Sequence, residues 1–74
     1  MSMKQIETKA IELIHAEPFV PFAFEMTDGG RIEIRDPWLV INETGAGFIS
    51  REGALEDVDF AKVRSITLLD KALA

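Results

Sequence analysis

Two short runs of alternating residues meet at an Asp-Gly-Gly corner, and nothing else in the chain restricts its fold as tightly. In Phe22-Ala23-Phe24-Glu25-Met26-Thr27, the residues Phe22, Phe24 and Met26 fall on one side. In Arg31-Ile32-Glu33-Ile34-Arg35, Ile32 and Ile34 do the same. A period of two is the pattern of a half-buried strand. Opposed residues of a hairpin share a face, so the loop length can be deduced. A two-residue Gly29-Gly30 loop sets Met26 against Glu33 and mixes the faces. A three-residue loop, Asp28-Gly29-Gly30, sets Met26 against Ile32 and Phe24 against Ile34. Such a loop asks for a left-handed residue at its last position, here Gly30. The register leaves Glu25 opposite Glu33, with Arg31 and Arg35 on the diagonals to offset the repulsion.

The segments on either side follow from the same physics. Ser2 to Ala16 reads as a helix, with Ser2 and Gln5 spaced as a capping box. Met3, Ile6, Ala10, Leu13 and Ile14 form its apolar stripe and Ile11 sits at the rim. Pro18 ends it, because the residue before a proline avoids helical geometry. Pro18 and Pro21 hold the next segment extended and withhold N–H donors, which suits a helix-to-strand crossover at a sheet edge. Phe19 and Phe22 are expected to pin that crossover to the core.

Asp36-Pro37 breaks the second strand. Trp38 to Asn42 reads as a third strand, apolar on both faces, and is expected to be central or to lie under the helix. Thr44-Gly45-Ala46-Gly47 reads as a turn and Phe48 to Arg51 as a fourth strand, which Gly53 kinks or ends. Ala54 to Asp59 is acidic and fits a loop or a ragged strand. Phe60 to Val63 fits a single helical turn. Arg64 to Leu69 is the last strand, with Ile66 and Leu68 on one face, and Lys71 to Ala74 a frayed end. The expected fold is one domain over residues 1–74, mainly β with an N-terminal helix over about 2–16. About five antiparallel strands over 19–69 form a strongly bent sheet, closing into a small barrel that solves the edge problem.

At 74 residues the energetics are marginal. Conformational entropy opposes folding by about 110 kcal/mol, and apolar burial returns about 110 kcal/mol. There is no cysteine for a disulfide and no Cys/His cluster for structural zinc. Oligomerisation is the remaining common stabiliser, so self-association is expected. Its candidate interface residues are Trp38, Phe48, Ile49, Ile66 and Leu68. Trp38 reads first as a core residue whose indole N–H needs a partner, with an interface anchor as the alternative.

The net charge is −5, and the bases Lys4, Lys9, Arg31, Arg35, Arg51, Lys62, Arg64 and Lys71 are scattered. This argues against nucleic acid as partner. No apolar stretch approaches the ~20 residues of a membrane span. The opening Met-Ser-Met-Lys-Gln leads into an amphipathic segment rather than a signal peptide, so the expected compartment is the cytoplasm.

Chemistry-bearing patterns are sparse. His15, the one histidine, falls on the helix polar face near its C-terminus and has no cysteine to activate. Ser2, Ser50 and Ser65 build no triad around it. Glu52, Glu56, Asp57 and Asp59 lack the spacing of a calcium loop and read as a solvated acidic stretch. Gly45-Ala46-Gly47 precedes a strand-like run, so it lacks the helix N-terminus of a phosphate cradle. No catalytic, cofactor or metal residue is assigned, and no enzymatic activity is expected.

The pattern Pro18-Phe19-Val20-Pro21-Phe22, then Thr27-Asp28-Gly29, then Pro37, resembles a set of short bacterial proteins of unknown function that share a P-F-x-P-F box and a D-G hairpin. The order of elements is also similar to the Sm-like (SH3-like) small barrel: helix, strands, and a helical turn before the last strand. That resemblance implies assembly into rings through edge strands. It also implies that Phe48-Ile49 lies near an unpaired edge, which the Arg64 to Leu69 strand of another copy would cover. Asn42-Glu43-Thr44-Gly45 and Phe60-Ala61-Lys62-Val63 do not match the polar, basic loops of Sm-like RNA binders. The expected function is a homo-oligomeric interaction or scaffold module. The alternatives are an Sm-like RNA binder and, third, a small-molecule binder or enzyme.

Overall fold

A computed structural model describes residues 1–50 and 52–69. The expectations for Arg51 and for Lys71 to Ala74 lie outside these residues. In chain order the elements are α1 (Met3–Ile14), β1 (Phe22–Met26), β2 (Arg31–Ile34), β3 (Val40–Ile41), β4 (Gly45–Ile49), β5 (Leu55–Asp59), a 3₁₀ turn (Phe60–Lys62) and β6 (Val63–Leu68).

The helix begins as the Ser2/Gln5 spacing requires. Gln5 N–H donates to Ser2 Oγ (3.2 Å) and Ser2 N–H donates to Gln5 Oε1 (2.7 Å), so two orphan donors are satisfied reciprocally. Ile6, Ala10 and Leu13 are buried, Met3 and Ile14 pack against the core, and Ile11 is exposed.

The first hairpin has a three-residue loop, but one residue earlier than the sequence reading placed it. Met26 N–H donates to Gly30 O (2.8 Å) and Gly29 N–H to Met26 O (3.1 Å). The loop is therefore Thr27-Asp28-Gly29, and Gly29, not Gly30, takes the positive φ of 91°. The pairs become Phe24 with Ile32, Phe22 with Ile34, and Glu25 with Arg31. A slide of two residues keeps every side chain on its face, so the hydrophobic pattern does not select between the registers. Electrostatics does, because Glu25 now meets Arg31 instead of Glu33. Asp28 Oδ1 adds a hydrogen bond from Gly30 N–H at 2.8 Å.

β1 is the centre of a three-stranded antiparallel sheet ordered β2-β1-β6. Ile66 pairs with Phe24 and Leu68 with Phe22, so both lie on one face as expected. Between Glu25–Ser65 and Met26–Val63 the register shifts, which leaves Arg64 as a bulge residue.

The remaining strands form a second antiparallel sheet ordered β3-β4-β5. Among the described residues, six strands in two three-stranded sheets, not closed on each other, replace the expected five-stranded barrel. Two local features account for the difference. Asp36-Pro37 separates β2 from β3, and Leu55–Asp59 pairs along its whole length with β4. The segment expected to be central or to lie under the helix is the short edge strand β3, so it is not central, but α1 packs against it. Gly45 to Gly47 is not a turn but the first half of β4, since Asn42 Oδ1 closes the preceding turn by accepting from Thr44 N–H and Gly45 N–H, both at 2.9 Å. Phe48-Ile49 does not lie on an edge either, because β4 has β3 on one side and β5 on the other.

The core joins both sheets and the helix. Phe22, Phe24, Phe60 and Ile6 are its largest fully buried side chains. Phe22 and Phe24 meet edge to face at 5.5 Å, and Phe24 lies 5.9 Å from Phe60. The 3₁₀ turn expected at Phe60 thus delivers an aromatic ring to the core. Asp59 Oδ1 caps the turn by accepting from Ala61 N–H at 3.0 Å. Phe19 stacks edge-on against Phe22 at 6.2 Å, which is how the proline-flanked crossover is pinned.

Candidate functional site

The outward face of the second sheet is the part of the surface least explained by folding. Ala46 and Val58 are buried, and with Ile41 they form one cross-strand row that points to the core. Strand alternation then turns the neighbouring rows outward. These rows are Val40–Gly47–Asp57 and Ile49–Leu55, with Gly45–Asp59 beyond them. Val40 is 77% exposed, Ile49 63% and Leu55 72%, so three large aliphatic side chains stand in solvent on one face.

The two glycines of β4 shape this face into a trough of about 500 Å³. Val40 lines one side, Asp57 and Asp59 the other, and Gly45 to Gly47 form the floor. Among the described residues no lysine or arginine lines it. Asp57 has no ion pair or side-chain hydrogen bond among the described residues.

A second groove, also about 500 Å³, opens where the two sheets diverge. Ile34, Phe48 and Ile49 are its apolar lining, with Glu33, Arg35, Asp36, Ser50 and Glu52 around them. Arg35 is engaged with Glu33 at 2.8 Å.

The outward face of the first sheet is polar by contrast. Arg31 Nη2 lies 2.9 Å from Glu25 Oε2. The Arg31 guanidinium holds the Glu25 carboxyl below its usual value, against the opposing pull of desolvation and with help from Thr67 and Arg64.

The five interface candidates do not gather on one surface. Trp38 is 79% exposed in the β2–β3 connection, so it is not a core residue. Ile66 and Phe48 are half-buried against the core. Leu68 is exposed at the end of β6. Ile49 alone joins the outward face of the second sheet. Its companions Val40, Leu55, Gly47 and Asp57 were missed in the sequence. Reading Leu55-Glu56-Asp57-Val58-Asp59 as a strand, with Leu55, Asp57 and Asp59 on the side opposite Val58, places Leu55 and Asp57 on this face.

His15 is the exposed C-cap of α1, its N–H donating to Ile11 O at 3.3 Å. The acidic stretch is split by alternation. Glu56 faces Phe48, while Asp57 and Asp59 belong to the outward rows. Among the described residues no three His, Asp or Glu side chains are grouped to hold a metal ion. No helix among them is long and apolar enough to cross a membrane. Comparison with protein-family models, curated proteins and solved structures finds no match.

Proposed function

We propose that this chain is a small homo-oligomeric interaction or scaffold module of Sm-like type, assembling through its sheet edges. The observation that carries the reading is the placement of β5 and β6. The first sheet runs β6-β1-β2 and the second β3-β4-β5, with the β2–β3 connection between them. Among the described residues β5 and β6 are edge strands of their sheets, each paired on one side only, while the other two edges, β2 and β3, are joined by the β2–β3 connection. The 3₁₀ turn before β6 also agrees with the Sm-like order.

Charge favours joining β5 and β6 between copies. β5 carries Glu56, Asp57 and Asp59, while Lys62 and Arg64 flank the start of β6. Pairing β5 of one copy with β6 of the next is heterologous, and such contacts generate rings when the rotation closes. The proposal involves no catalytic step.

The ladder geometry tells where to test it. Ser50 N–H donates to Ala54 O (2.8 Å) and Phe60 N–H to Thr44 O (2.9 Å). Antiparallel alternation then makes Phe48–Glu56 and Ala46–Val58 the hydrogen-bonded pairs. The N–H groups of Leu55, Asp57 and Asp59 point away from β4. Asp57→Pro removes an outward donor without breaking the β4 ladder, and Asp57→Asn removes only the charge. Sedimentation at high micromolar concentration is expected to show an oligomer for the parent and for Asp57→Asn, and a smaller species for Asp57→Pro. A parent that sediments as the 8.3 kDa monomer overturns the proposal.

A further inference from the structure

We infer that the glycine-floored trough on the outward face of the second sheet is a docking site for a cationic, extended segment of a partner protein. The inference concerns the face of the sheet, not its edges, and does not depend on self-assembly.

The argument starts at Gly47. Its φ is not positive, and a Cβ there meets only Asp57 Oδ1 at 3.5 Å and Glu56 O at 3.8 Å, both ordinary contacts. Gly45 differs, because a Cβ on it collides with the Val58 carbonyl oxygen, so the strand pairing itself demands glycine. A glycine inside a strand weakens the strand. At Gly47 neither backbone conformation nor packing calls for one. What its missing side chain does is keep the middle of the trough open, between Val40 and the Asp57 carboxylate.

The lining states what the trough accepts. Val40, with Ile49 and Leu55 in the next row, offers aliphatic contact. Asp57 and Asp59, two apart on β5, offer carboxylates at the spacing of same-side residues in a strand. An extended segment alternating aliphatic residues with lysine or arginine complements both features. Among the described residues no lysine or arginine lines the trough, and the net charge of −5 steers a cationic segment toward the protein.

The test uses the full chain and a fluorescein-labelled peptide of four Val-Lys repeats, read by anisotropy. Gly47→Val fills the trough with a residue that favours strands, and its fold is verified by circular dichroism and thermal melting. Asp57→Asn removes one carboxylate, and Glu12→Gln, on the helix, controls for unspecific charge. The expected result is saturable binding that Gly47→Val and Asp57→Asn each weaken by about tenfold or more, with Glu12→Gln unchanged. Equal affinity of parent and folded Gly47→Val overturns the inference, as does the absence of binding at millimolar peptide. Self-association that Gly47→Val abolishes also overturns it, by giving the trough to a second copy.

Discussion

Glu25 and Arg31 face each other across the first hairpin, with Oε2 and Nη2 at 2.9 Å. Glu25 lies on the central strand, with a side chain only 16% exposed, while Arg31 begins the edge strand β2. The guanidinium favours the ionised carboxyl, so the folded-state pKa of Glu25 is lower than its unfolded value. A depressed carboxyl pKa adds stability above the unfolded value of about 4.3, and that contribution disappears as pH falls through the folded value.

Glu25→Gln should therefore be less stable than the parent near neutral pH. The gap should close as the pH drops below about 4. Urea denaturation of both proteins across this range measures it, and a constant gap would contradict the assigned pairing.

The same hairpin locates the turn glycine. Gly29 has φ 91°, where a side chain is strained whatever the space around it. Gly29→Val should destabilise by about 1 kcal/mol or more. Gly30→Ala should cost less, because its φ is not positive and its Cβ meets only side-chain atoms of Asp28, Oδ1 at 3.1 Å and Cγ at 3.9 Å. Equal losses in chemical denaturation would return the left-handed position to Gly30.

How legible the fold is in the sequence depends on whether local chemistry decides each feature. The capping box, the helix stripe and the 3₁₀ turn at Phe60 are set within a few residues, and each was readable. The hairpin register does not follow from the hydrophobic pattern, since Phe24 keeps its face opposite either Ile32 or Ile34, and only the choice of Arg31 over Glu33 as the partner of Glu25 separates the two. β5 was hidden because Leu55, Glu56, Asp57 and Asp59 are all exposed, leaving Val58 as its only buried residue. With β5 left open as loop or strand, the outward rows of the second sheet had no partner and the trough could not be assembled. Trp38 misled by composition, since an exposed tryptophan in an apolar run looks the same as a buried one.

No binding to single-stranded RNA is expected at physiological salt. The described bases are partly committed: Arg31 to Glu25, Arg35 to Glu33 at 2.8 Å, and Lys9 to Glu12 at 4.0 Å. The outward face of the second sheet carries Asp57 and Asp59, which repel phosphate. Anisotropy with a labelled oligoribonucleotide measures this. Sub-micromolar binding that weakens steeply with salt would favour the RNA-binding alternative.

Gly45 and Gly47 separate structural from functional glycine within one strand. A methyl group on Gly45 runs into the Val58 carbonyl oxygen, a backbone atom held by the β4–β5 pairing, so the two strands must move apart. Gly45→Ala should lose about 2 kcal/mol or more. That is a large share of the stability of a domain this small, and its melting temperature should fall by about 10 °C. Gly47→Ala meets only ordinary contacts and restricts the unfolded chain, so it should be neutral or gain up to about 1 kcal/mol. Thermal melts of the two single variants measure the contrast. If Gly47→Ala proved as damaging as Gly45→Ala, the glycine at 47 would be required by the fold, and its open floor would no longer point to a docked segment.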